Sequence, residues 1–527
     1  MDELVRTVAS ATVTCRVRGP DTLRTHRFFS VRGQFPGGAG AELSDDGIDG
    51  VEVDHAAGSL MVLGIEGRSV VGNLRNVVSW SRRLAGLVLL GIGSLAGQAS
   101  AQNPEPVKPD PAAADAPADP PIVGPPKSEP VAYAPPRITE DDEKKWRSSR
   151  SIKFSNALKA IAPTNAETKE LVDAANLFVD RMTIPKYLPD LHRYAIDPAK
   201  RSVEGPLSTP GPRAILLKAM TARVVELLAE NPSHHPDIQL GFVLLLEALN
   251  SQPATANSGA VPYTGSYKAL ISVLENNARP LQCRVRAASG LGRMGRDSVV
   301  GVPGGDLSVV QRGDIAAALA KALIATESQG KQDGKVWFRS RVAEALGDCG
   351  VAFDLNGGSG FIDALMTTAS NPAEHLRVRA AALRATTQLS WNNSTNLPLV
   401  LHETLKLQLE VAQGYNAAIA KNKRLANADF HHANFELYLC FMPKTASQAG
   451  TLKWGLLNQV TRPTLIQHAP AVKAAYDVAL PVFNQIVSNP KTPVPVPAAQ
   501  IAALDAWLKG NAPKDRKPTT VSPNSLP

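Results

Sequence analysis

The chain has 527 residues and carries 56 Lys and Arg against 48 Asp and Glu, a net charge of +8. Hydrophobic residues make up 44% but aromatic ones only 5%, so a core must be built mainly from Ala, Leu, Val and Ile, as suits close helix packing. So small a charge excess argues against a nucleic-acid binder, and Cys15, Cys283, Cys349 and Cys440, which form no CxxC, give no support for zinc, c-type haem or a disulfide framework.

In chain order, residues 1–77 show no sustained helical or strand period and are expected to lie outside the mature protein. Residues 82–101, RRLAGLVLLGIGSLAGQASA, then hold the three parts of a secretory signal: Arg82 and Arg83, an apolar run from Leu84 to Ala96, and Ala99-Ser100-Ala101. Cleavage is expected after Ala101. Because such a signal must leave the ribosome first, translation is expected to start closer to it, at Met61 or at Val77 or Val78. The apolar run falls short of the ~20 residues of a membrane span, and no Cys follows to take a lipid anchor. With residues 78–101 as signal peptide, the product is expected in the periplasm or outside the cell, with no stable membrane span. Residues 102–137, rich in Pro and Ala, read as a disordered linker of polyproline character, extending ~3.1 Å per residue.

From residue 138 the pattern is helical almost throughout, with apolar residues three and four apart. Residues 138–211 read as a helical N-terminal cap. Self-comparison then finds Arg284-Val285-Arg286-Ala287-Ala288 repeated as Arg377-Val378-Arg379-Ala380-Ala381, with Arg339-Ser340-Arg341-Val342-Ala343 between them. Arg284 and Arg339 are 55 residues apart, Arg339 and Arg377 are 38 apart, and the Gly-rich stretch Val299–Leu307 accounts for the longer interval. Gly290-Leu291-Gly292 and Ala345-Leu346-Gly347 follow the first two copies, small residues where helices must touch. Gly295 and Gly350 are expected to end those two helices in the left-handed conformation. The third helix has no closing Gly and is expected to run on to Trp391. Amphipathic segments upstream, Ala269–Leu274, Ile315–Ile324 and Phe361–Met366, supply the antiparallel partners, and Pro212–Ala229 followed by Pro236–Asn250 forms an earlier, divergent pair.

This pattern resembles the HEAT-repeat family, in particular its bacterial variety, whose second helix reads like V-R-x-A-A-x-A-L-G-x-x-G. The resemblance covers Pro212–Trp391. It implies an all-α fold, an α-solenoid of HEAT-like helical hairpins stacked into a curved superhelix. The Asp that often pairs with the next Arg in that family is missing from the turns here, which carry Arg279-Pro280, Lys335-Val336 and Asn371-Pro372. Residues 392–511 read as irregular helical hairpins and residues 512–527 as a disordered tail.

No GxSxG, HExxH, phosphate loop or zinc spacing occurs, so the expected function is non-enzymatic and without cofactor or metal: an exported scaffold for protein partners in the cell envelope. The candidate residues are Arg284, Arg286, Arg339, Arg341, Arg377 and Arg379. Stacking would align them into a column able to grip an anionic ligand, polyanion or carbohydrate. Alternatively one Arg of each pair bonds carbonyls of the preceding helix or an acidic neighbour and locks repeats together, a use expected of Arg286, Arg341 and Arg379. The locking use is favoured, because residues i and i+2 face different sides of a helix. His234-His235 and His431-His432 read as surface or capping residues, since adjacent helical residues point about 100° apart and converge poorly on one ion. A remaining alternative is an enzyme whose site gathers Tyr415, His431, His432 and Tyr438.

Overall fold

The computed structural model describes residues 132–518 except 231, 257, 326–331, 422–427, 443–454 and 489–492, together with four two-residue strands near the start. The expected signal peptide, and all but the last six residues of the Pro/Ala-rich linker, lie outside the described residues. The chain divides into two units, Met1–Gly124 and Pro125–Pro527. In the first, β1 (Ala11–Thr12) pairs antiparallel with β4 (Ser30–Val31), and β2 (Arg16–Val17) with β3 (Arg24–Thr25).

Among its described residues the second unit is helical apart from one small ladder. Helices α1 (Glu140–Lys159) and α2 (Asn165–Asp180) each open on a reciprocal capping box, Thr139 with Asp142 and Thr164 with Glu167. Two 3₁₀ segments and a π turn lead to α3 (Asp197–Glu204). Then α4 (Pro210–Leu228) and α5 (Pro236–Ala248) each start on a proline, whose missing N–H costs nothing in a first turn. Next come α6 (Tyr267–Glu275), α7 (Leu281–Asp297), α8 (Val309–Ile324), α9 (Asp333–Cys349), α10 (Gly360–Ser370) and α11 (Leu376–Gln388). The segments expected as antiparallel partners fall within α6, α8 and α10. The chain ends with α12 (Leu397–Lys421), α13 (Ala428–Phe441), the single turn α14 (Leu456–Gln459), α15 (Ala469–Ser488) and α16 (Ala498–Gly510).

Packing follows two rows. Helices α5, α7, α9, α11, α13 and α15 each touch the next, and so do α6, α8, α10 and α12, while each of α6, α8, α10 and α12 also packs on the helix that follows it. Small residues set the spacing within the first row. A Cβ on Gly292 would lie 2.8 Å from Ala345 Cα, and one on Gly347 would lie 2.7 Å from Ala385 Cα, so at these crossings nothing larger than hydrogen fits. Cys283, Cys349 and Cys440 are buried free thiols in this packing, and burial pushes the Cys349 thiol up to about 12.

Several expectations need correction. Gly350 does close α9 at φ +70°, but Gly295 lies inside α7, pressed against Cys349, and the helix runs on to Asp297. Helix α11 stops at Gln388, short of Trp391, whose indole N–H turns back to donate to the Thr386 carbonyl at 2.9 Å. The crossings pair Gly292 with Ala345 and Gly347 with Ala385, so the third helix matches the second 40 residues on, placing Arg379 rather than Arg377 opposite Arg339. An unforeseen antiparallel ladder joins β5 (Asn250–Gln252) to β6 (Val261–Pro262). The Gly-rich insertion folds over it: Thr264 donates its N–H to the Gly304 carbonyl at 2.8 Å, and a Cβ on Gly305 would strike Val261. The Asn396 side chain donates to the Asp515 and Lys517 carbonyls at 3.1 and 2.9 Å, so residues 515–518 lie against the start of α12. Among the described residues no helix is long and apolar enough to cross a membrane.

Candidate interaction groove

The six arginines of the repeated segments divide between two environments. Arg284, Arg339 and Arg379 point into the seam between the rows and are 7%, 3% and 5% exposed. Each donates to the last turn of the helix before it: Arg284 Nε to Leu274 O at 2.9 Å, Arg339 Nε to Leu323 O at 3.2 Å, and Arg379 Nε to Ala369 O at 3.0 Å. A guanidinium there satisfies carbonyls that a helix end leaves open and faces the negative end of the helix dipole. Each also reaches into the following layer. Arg284 lies 4.6 Å over the Phe338 ring, Arg339 pairs with Glu374, and Arg379 meets Glu410 at 2.5 and 3.2 Å.

Arg286, Arg341 and Arg377 face solvent instead. Their side chains are 46%, 48% and 39% exposed, and each has a more recessed carboxylate: Glu247 at 3.8 Å, Glu344 at 2.6 Å, and Asp429. The expectation that Arg286 and Arg341 sit in the locking positions is therefore corrected to Arg284 and Arg339. Two residues along a helix is about 200° of rotation, so the members of a pair cannot share a face.

The solvent-facing arginines belong to a stripe that sequence reading missed. On α9 it comprises Trp337, Arg341, Glu344 and Asp348, at helical spacing on one side of an otherwise buried helix. Ion pairs cross from layer to layer along it: Arg296 to Asp348 at 2.7 Å, and Arg384 to both oxygens of Glu436 at 2.8 and 2.9 Å. These take over the role that turn aspartates were expected to leave unfilled. In the sequence the stripe shows only as polar residues interrupting apolar helices, such as Glu247 after Leu244-Leu245-Leu246.

The charges along this face influence one another across helices. Arg341 on α9 acts on Glu247 of α5 and also on His432 of α13, each two helices away along the row. Burial raises the carboxyl of Glu247 above the usual carboxylate range, against the pull of Arg286, Arg293 and Arg341. Burial likewise raises Glu344, against Arg341 and together with the neighbouring charge of Glu436. It lowers His432, with Glu436 pulling the other way.

Comparison with protein-family models, curated proteins and solved structures gives no match. The reading of this groove therefore rests on its own residues.

The structure brings Tyr415 and His431 together and packs Tyr438 elsewhere. His235 caps α5 by accepting the Asp237 N–H at Nδ1, 3.3 Å away, whereas His234 is buried with Nε2 3.0 Å from Glu230. Tyr415 is buried and meets His431 ring edge to face at 5.8 Å, while Tyr438 packs on Phe483 at 5.7 Å. Among the described residues no three His, Cys, Asp or Glu side chains gather to hold a metal ion.

Proposed function

We propose that the chain is an exported, non-enzymatic scaffold built on a HEAT-like α-solenoid, which binds protein partners in the cell envelope along a groove lined by the polar stripe of the α7, α9 and α11 row. The observation that carries this reading is the stripe itself: Arg286, Trp337 and Arg341 stand exposed and Arg377 half-buried on three successive layers of an otherwise closely packed row. Stacked hairpins present extended faces of this kind, on which a partner lies across several repeats. The export signal and Pro/Ala-rich spacer add a route to the envelope and a reach away from whatever surface the chain is near.

Site-specific photo-crosslinking in cells tests it. A photoreactive residue replacing Trp337 in the groove is expected to give discrete protein adducts in the envelope fraction, and one replacing Lys321 on the outer row is expected to give few. Adducts confined to the outer row, or to cytoplasmic proteins, would overturn the reading.

A further inference from the structure

We infer that the groove takes an extended acidic peptide segment, its carboxylates lying on Arg286, Arg341 and Arg377 and an apolar residue beside them lying on Trp337. The inference rests on the groove being the partner surface, and specifies the chemistry of what lies there.

Charge complementarity selects the sign. All three arginines are more exposed than the carboxylates they pair with, so what an approaching chain meets first is guanidinium. The pairing is loose at Arg286, where 3.8 Å separates it from Glu247, and Glu247 Oε2 has no hydrogen-bond partner. An incoming carboxylate can take a two-point bond from such a guanidinium without breaking a buried contact.

Spacing selects an extended chain. Neighbouring helices of the row are ~8–10 Å apart and a strand rises ~3.3 Å per residue, so about every third residue of an extended peptide meets a new layer. Trp337, 42% exposed, stands one helical turn before Arg341, so its ring offers apolar surface beside the cations. That combination favours a peptide over a sulfated polysaccharide. A peptide can set its carboxylates about three residues apart with neutral residues between them, whereas the dense, uniform negative charge of a polysaccharide would also lie against Glu344, Glu436 and Asp429.

The test uses the full chain and three labelled probes: a Glu/Ala peptide with one central Phe, its Lys/Ala counterpart, and a heparin oligosaccharide, each followed by fluorescence anisotropy. The Glu peptide is expected to bind in a salt-dependent way, to weaken by about tenfold or more in Arg341→Glu, to weaken less in Arg341→Lys, and to lose affinity in Trp337→Ala. Lys473→Glu, on exposed α15 surface, is expected to leave binding unchanged, and melting curves check that every variant folds. Tighter binding of the Lys peptide would overturn the inference but leave the groove as the partner surface. Tighter binding of heparin, lost in Arg341→Glu, would replace the peptide with a polysaccharide. Absence of binding by the Glu peptide would overturn the inference, and crosslinks away from Trp337 would remove the groove reading as well.

Discussion

Arg339 and Arg341 are two residues apart on α9, and they show how differently the seam and the groove use one residue type. In the seam, Arg339 is 3% exposed, ties down the last carbonyl turn of α8 and faces the buried Glu374 in the next layer. In the groove, Arg341 is 48% exposed and its partner Glu344 is a neighbour on the same helix. A buried charge whose partner is removed strands the other charge, whereas a surface pair can be lost with little consequence. Stability should therefore reside in one arginine of each layer and recognition in the other.

The sharpest way to break this comparison is to truncate both. Arg339→Ala leaves Glu374 buried and uncompensated and the Leu323 carbonyl without its donor, an expected loss of about 3–5 kcal/mol in urea denaturation. Adding Glu374→Gln should recover part of that loss. Arg341→Ala should cost no more than about 1 kcal/mol, since Glu344 loses its cation but keeps some contact with solvent. Equal losses from Arg339→Ala and Arg341→Ala would mean that seam and groove are not distinct.

A smaller effect is expected from the crossings that hold the layers in register. Gly347→Ala places a methyl against Ala385 and the Gln388 side chain, and forcing α9 and α11 apart should cost about 1–3 kcal/mol. The same change at Gly360, where an added Cβ meets nothing, is the control. If the two variants melt alike, close approach does not set the layer spacing.

The hairpins themselves were legible, because their apolar positions recur at helical spacing and the caps are local: Thr139, Thr164 and Ser308 each close a capping box with the residue three places on. Register was harder. Five identical letters aligned Arg377 with Arg284, yet what the seam arginines share is their acceptor, the next-to-last residue of the preceding helix: Leu274 in α6, Leu323 in α8 and Ala369 in α10. The β5–β6 ladder escaped notice because Asn250-Ser251-Gln252 and Val261-Pro262 have no alternating pattern; the ladder is held by the insertion packed over it. The polar stripe was illegible for a related reason, since it joins side chains of different helices, Arg296 with Asp348 and Arg384 with Glu436.

The finest test of the groove uses pH. Burial holds the Glu247 carboxyl above its ordinary range, so the folded protein keeps that proton longer than the unfolded chain does. For a carboxyl raised in this way, the favourable contribution is complete below the unfolded value of about 4.3 and is lost as pH rises through the folded value. Glu247→Gln keeps the neutral form at every pH and removes no hydrogen bond from Oε2. The variant and the parent should therefore melt alike below about pH 4, with the variant gaining by a degree or two as pH rises toward neutrality. Arg286→Ala should widen that gap, because it removes the nearest cation favouring the ionised carboxyl. A gap that stays constant with pH would mean that Glu247 is ionised at little cost, and that the groove is wetter and shallower than its neighbours' charges imply.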